Sequence, residues 1–204
     1  MADATDMKQR KQDKQLRIYK AALKIFARFG YRKTTVEDIA NELGMTKGNL
    51  YLYIKSKQDL YNRAVAHAFS RWQEKMFADI AQETDVVRQL IYLFQKGHQY
   101  LNEDPHLKNI LVNDPDIIAF TPREDRFAAI NQKTRDLLKE ILQRGVEQKR
   151  FRSLDMEKIS TLFYFGFVMF INKAYVKSEG DPTIKMFEEG IPLILNGLLA
   201  PESS

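Results

Sequence analysis

The chain has no cysteine among its 204 residues. That excludes disulfides, thiolate metal sites and cysteine nucleophiles, and it suits a reducing, cytoplasmic setting. Long hydrophobic runs are also missing. The longest, Ile159 to Ile171, is interrupted by Ser160, Thr161 and Gly166. It is shorter than the roughly 20 apolar residues a membrane span needs, so no membrane partner is expected. The opening MADATDMKQRKQDKQ lacks the apolar stretch of a signal peptide. Strictly alternating β-branched runs, and Asn-Gly or Asp-Gly hairpin turns between apolar runs, do not occur either, which excludes an obvious sheet. No Walker A loop, GxSxG, HExxH or GxGxxG is present, and His67, His98 and His106 are scattered. No catalytic residue, metal ligand or cofactor site is nominated, and the chain is not expected to be an enzyme.

What is present is helical periodicity and an uneven charge. Residues 1–60 carry thirteen Lys+Arg against seven Asp+Glu, whereas the remainder is nearly balanced. A basic end joined to a neutral body fits a nucleic-acid-binding module, although a solvated basic face explains the charge alone equally well. After a polar arm over 1–12, expected to be mobile, apolar residues recur at helical spacing. Ile18, Ala21, Ala22, Ile25, Phe26 and Phe29 form one stripe, and Gly30 follows as a helix-ending cap. A second helix is predicted over about 36–43, capped by Thr35 with Asp38 three residues on and closed by Gly44. A third is predicted over about 47–54, capped by Thr46, and a fourth from Ser56 to about 81. Five more follow, near 84–103, 106–113, 122–149, 155–178 and 182–199, with prolines at or near the breaks. The predicted fold is all-α with about nine helices.

Two short helices joined by a glycine-containing turn after a longer one describe a helix-turn-helix. Its second helix would enter the major groove of double-stranded DNA. With Leu50 and Ile54 turned inward, Gly48 and Leu52 lie outward, flanked by Asn49 and Tyr51, with Thr46 and Lys47 at the leading end. Lys47 can donate to guanine or phosphate, Asn49 can read adenine or cap the helix, and Leu52 can touch a thymine methyl. Gly48 lets backbone approach DNA closely. The hydroxyls of Tyr51 and Tyr53 suit phosphate oxygens. Lys57 and Thr35 lie at helix starts, where phosphate is also favoured.

The run from Phe29 through Ala40 (FGYRKTTVEDIA) and then Leu43 through Leu60 (LGMTKGNLYLYIKSKQDL) closely resembles the DNA-binding domain of the tetracycline-repressor (TetR) family. The resemblance covers about residues 13–60. It implies that Thr35, Tyr51, Tyr53 and Lys57 contact the DNA backbone, and that Lys47, Gly48, Asn49 and Leu52 lie near base edges. Ile54 stands where the family often has phenylalanine, Leu52 where a polar or aromatic residue is common, and Lys55 where proline is frequent. The resemblance further implies an effector-binding and dimerisation domain over 61–204. Homodimers would form through 155–178 and 182–199, where Ile184, Phe187, Ile191, Ile194, Leu195 and Leu198 make a stripe, and would bind a palindromic operator. A small apolar or aromatic effector is implied too, with Trp72, Phe94, Phe163 and Phe167 as walls and His98 or Tyr100 as polar handle; core packing explains these residues as well. The expected function is a transcriptional regulator, a repressor released by its ligand. The alternatives are a DNA-binding regulator without an effector and an all-helical enzyme.

Overall fold

The computed structural model describes residues 2–114, 117, 125–176 and 181–200. Nine α-helices are described: α1 (Ala2–Lys33), α2 (Val36–Glu42), α3 (Lys47–Tyr51), α4 (Lys57–Gln82), α5 (Val86–Glu103), α6 (Pro105–Asn113), α7 (Ala128–Glu147), α8 (Met156–Ile171) and α9 (Asp181–Asn196). One π-helical turn, Asn172–Val176, follows α8. Among the described residues the only extended pairing is an isolated bridge between Phe151 and Leu199. The chain divides into two compact units. One comprises the residues up to Phe69 together with Pro105–Asp114; the other comprises Ser70–Asp104 and the described residues beyond Asp114.

In the first unit, α1 buries Ile18, Ala22, Ile25 and Phe26, the stripe read from the sequence. The helix differs from expectation at its start. The segment 2–12 is helical rather than an irregular arm, because it holds good helix formers without proline or glycine. An Asp6–Arg10 ion pair at 2.8 Å spans one of its turns. Its side chains from Asp6 to Lys14 are exposed. At the other end helical geometry breaks at Gly30 (φ 76°, ψ 159°), as expected, and a short further turn runs to Lys33. The Thr34 amide and hydroxyl both donate to the Gly30 carbonyl, at 3.2 and 2.8 Å, which holds that turn. The core is completed by Val36, Ile39 and Ala40 of α2, Leu50 of α3, and Leu60, Tyr61, Ala64 and Val65 of α4. Phe26 and Tyr61 meet edge to face at 5.0 Å. Each such buried side chain contributes about 1.5–3 kcal/mol.

Helix α6 packs against α1 and buries Leu107, Ile110 and Leu111. The Tyr61 hydroxyl donates to the Asp114 carboxylate at 2.6 Å just beyond it. Residues 61–69 and 105–114, assigned by sequence to the second domain, thus pack with the helix-turn-helix.

In the second unit, α5 is central and buries Val86, Leu90, Leu93, Phe94 and Leu101. Buried Gln89 closes the end of α4. Its amide donates to the Ile80 and Glu83 carbonyls, at 3.1 and 2.6 Å, and accepts from Arg144 at 2.7 Å. These bonds satisfy carbonyls that a helix end otherwise leaves without partners. Helix α7 begins at Ala128 rather than near 122; residues 122–124 lie outside the described residues. The stripe read on α9 faces inward, with Ile191, Leu195 and Leu198 buried; Ile194 is the exception, exposed like its neighbours Met186 and Leu193. On α8, Leu162, Phe165 and Met169 are exposed. No helix among the described residues is long and apolar enough to cross a membrane.

Candidate nucleic-acid interface and ligand cavity

The two short helices are locally encoded. Thr35 caps α2 in a reciprocal box: its hydroxyl accepts from the Asp38 amide at 3.1 Å, while its own amide donates to the Asp38 carboxylate at 2.7 Å. The Thr35 hydroxyl hydrogen also points at Asp38, at 2.7 Å. These bonds, the hydroxyl foremost, hold the Asp38 carboxyl below its ordinary range. The turn to α3 passes through Gly44 at φ 63°, a left-handed conformation that glycine adopts without strain. The Thr46 hydroxyl then accepts from the Asn49 amide at 3.2 Å and starts α3.

Helix α3 is shorter than its expected span. It ends at Tyr51, and Leu52 caps it in helical geometry. The inward and outward assignments hold all the same. Leu50 is 0% exposed and Ile54 5%, whereas Leu52 is 79% and Tyr51 44% exposed. Thr46, Lys47, Gly48 and Asn49 are exposed. A Cβ on Gly48 would meet nothing nearer than Thr46 Oγ1 at 4.0 Å. Internal packing therefore does not require glycine there.

Two cations stand differently from the sequence reading. The Lys57 ammonium donates to the carbonyls of Tyr31 and Thr34, at 2.9 and 3.0 Å, and lies 4.4 Å over the Tyr31 ring. It ties the start of α4 to the turn after Gly30. Lys14, which the sequence reading did not single out, places its ammonium 5.0 Å over the half-buried ring of Tyr53. Thirty-nine positions separate the two, so no local pattern marks the pair. The result is an exposed α3 face of Lys47, Gly48, Asn49, Tyr51 and Leu52, with Lys14 and Tyr53 beside it.

The six residues expected around a ligand meet different neighbours. Phe94 and His98 line a cavity of about 200 Å³ between α5, α8 and α9. Trp72 donates its indole N–H to the Gly97 carbonyl at 2.9 Å and stacks on Phe167 at 6.0 Å. Phe163 and Phe167 are buried. The Tyr100 hydroxyl donates to Asp79 at 2.6 Å, and Lys96 pairs with the same carboxylate at 2.9 Å. Tyr100 first and Lys96 next hold the Asp79 carboxyl below its ordinary range. His98 is fixed through its ring: Nδ1 pairs with the Tyr175 hydroxyl and Nε2 lies 3.0 Å from the Asn102 amide. Burial pushes the Tyr175 hydroxyl well above its ordinary value. Tyr175 sits on the π-helical turn, a register that the sequence pattern does not reveal.

A three-helix reading head with an inward apolar face and an exposed α3 defines a helix-turn-helix protein of the DNA-binding class. Residues 18–64 match the family model described as bacterial regulatory proteins, tetR family. Over these residues the chain is similar to the DNA-binding domain of the TetR family. It is 31% identical over 101 residues to the fatty acid metabolism regulator protein of Bacillus subtilis, a match covering 50% of this chain and 52% of that one. The aligned part thus spans about half of that relative. It is 28% identical over 141 residues to the HTH-type transcriptional repressor KstR2 of Mycobacterium tuberculosis, covering 68% and 70%. The fold is shared with the transcriptional regulator FadR of Bacillus subtilis in complex with stearoyl-CoA, at a TM-score of 0.73 and 20% identity over 89% of this chain and 98% of that one.

Proposed function

We propose that this chain is a cytoplasmic, homodimeric transcriptional repressor that binds a palindromic operator and is released by a small apolar ligand. The observation that carries the DNA-binding part is the outer face of α3, where Leu52 is 79% exposed beside Lys47, Gly48, Asn49 and Tyr51 while Leu50 is fully buried. An exposed leucine on a short helix loses nothing by meeting a groove. Residues 13–60 are the DNA-binding domain, with 61–69 and 105–114 packed in the same unit, and the second unit carries effector binding and dimerisation. The exposed apolar residues of α8 and α9 (Leu162, Phe165, Met169, Met186, Leu193 and Ile194) support dimerisation through these helices. Residues 177–178 of the proposed interface lie outside the described residues. In such a dimer two recognition helices reach successive major grooves about 34–36 Å apart or at a larger spacing.

The cavity behind Phe94 and His98 supports a ligand. Three covalent links join the units and can carry its effect: α4, which runs through both, the α5–α6 junction at Asp104–Pro105, and the chain passing from Asp114 to Pro115. A ligand acts only through different affinity for the DNA-bound and released states. The reading includes no catalytic activity. It is tested by titrating the protein on its own upstream DNA at several salt concentrations, beside Tyr51→Ala. Sequence-selective, salt-sensitive binding that drops in the variant supports it; equal binding by both proteins, or none that discriminates sequence, refutes it. Sedimentation of Phe165→Glu tests the interface, with monomers expected.

A further inference from the structure

The geometry points to an effector that is compact, uncharged and ring-bearing, with a hydroxyl or N–H donor, rather than an acyl-CoA or a free carboxylic acid. The inference rests on the ligand-responsive reading above and names the chemical class its cavity accepts.

The walls come first. Phe94, Phe170 and Phe187 form one aromatic cluster, with Phe170–Phe187 ring centroids 4.9 Å apart and Phe94–Phe187 stacked at 6.0 Å. Ile91, Ile184 and Ile191 add aliphatic surface. Ring faces and edges of this kind favour a flat aromatic guest in stacked or edge-on contact. Size is the second point. The cavity holds about 200 Å³, below the roughly 300–1,000 Å³ typical for drug-sized ligands, so the guest has one or two rings.

The polar groups are the third point. Gln95 and Glu188 stand on the lining, and both are exposed. A carboxylate such as Glu188 accepts hydrogen bonds and repels anions. Among the described residues that line the cavity, none is lysine or arginine. A phosphate-bearing coenzyme or a carboxylate would meet Glu188 with no cation in the lining to offset it. A hydroxyl or ring N–H would find an acceptor there. His98 is held by Tyr175 and Asn102 through its ring nitrogens, so it presents a fixed flat wall. A larger cleft elsewhere in this unit is lined by Glu83, Asp136, Lys139, Glu140, Arg144 and Glu147. Its many charges of both signs suit water better than a neutral ring.

The test uses the full chain, thermal unfolding and operator release, with indole, 2-naphthol, benzoate and stearoyl-CoA as probes. Indole and 2-naphthol are expected to raise Tm by a few degrees at saturating concentration. The shift should vanish in Ile91→Phe, which fills the cavity; Ile184→Trp is the second filling variant should the first fail to fold. A shift with benzoate or stearoyl-CoA but not with the neutral rings overturns the inference, as does no shift with any probe, or a shift that survives both filling variants. Neutral rings that bind through this cavity yet leave the operator occupied uphold the ligand class and refute release by ligand.

Discussion

Lys57 lies over the ring of Tyr31 at 4.4 Å and donates to the carbonyl of the same residue at 2.9 Å. A side chain that resembles a phosphate contact in sequence is, in this fold, the clamp between α4 and the turn that ends α1. Lys57→Met is expected to destabilise the protein by about 1–3 kcal/mol, through loss of charge-assisted hydrogen bonds and the contact with the ring. It should weaken operator binding without changing its dependence on salt. Lys47→Ala should instead leave the urea midpoint unchanged and lower the salt slope by about one. The opposite pattern would make Lys57 the phosphate contact and Lys47 a bystander.

Gly48 separates function from stability. Alanine there meets no clash and gains up to about 1 kcal/mol of helix propensity. Gly48→Ala is therefore expected to melt at or above the wild-type temperature and yet bind operator more weakly, since the added methyl lies on the outer face. Unchanged affinity would place α3 further from the DNA than proposed.

Gly145 is a packing glycine. A Cβ there would lie 2.1 Å from Phe151 Cδ2. Gly145→Ala should lower stability by several kcal/mol, because neither the helix backbone nor the buried ring can move away freely. Adding Phe151→Leu should recover part of the loss, as read from denaturant midpoints.

Tyr164 supplies a pH test. Burial pushes its hydroxyl up to about 12, against the opposing charge of Arg135. Its folded value lies above its unfolded one, so its contribution is complete below about pH 10 and is lost as pH rises toward 12. The wild type should lose about 2–3 kcal/mol more than Tyr164→Phe between pH 9 and pH 12, as read from urea midpoints. Parallel loss in both proteins would place the hydroxyl in contact with water.

Much of the molecule was legible because its signals are local. Thr35 with Asp38, Gly44, and Thr46 ahead of Asn49 lie within a few residues of one another, and the structure uses each as a cap or turn. Leu50 and Ile54 share a face by helical spacing alone, so their burial and the exposure of Leu52 followed directly. The ligand residues were harder. Trp72, Phe94, Phe163 and Phe167 are alike in sequence as apolar residues on helices, and only the neighbour each one meets separates core from cavity. Phe170, Phe187 and Gln95 of the cavity were missed because α5, α8 and α9 bring them together from positions up to about ninety residues apart.

By itself, then, the sequence determined the helices, their caps and the polarity of the reading head, since these depend on spacing along a single helix or turn. Tertiary structure decided which like residues do different work. It gave Lys57 to two carbonyls and left Lys47 exposed, set Lys14 over Tyr53, drew α6 onto α1, and left a cavity beside Phe94. Each of these depends on contacts between distant segments, whose pairing is settled only when the whole apolar surface is buried at once.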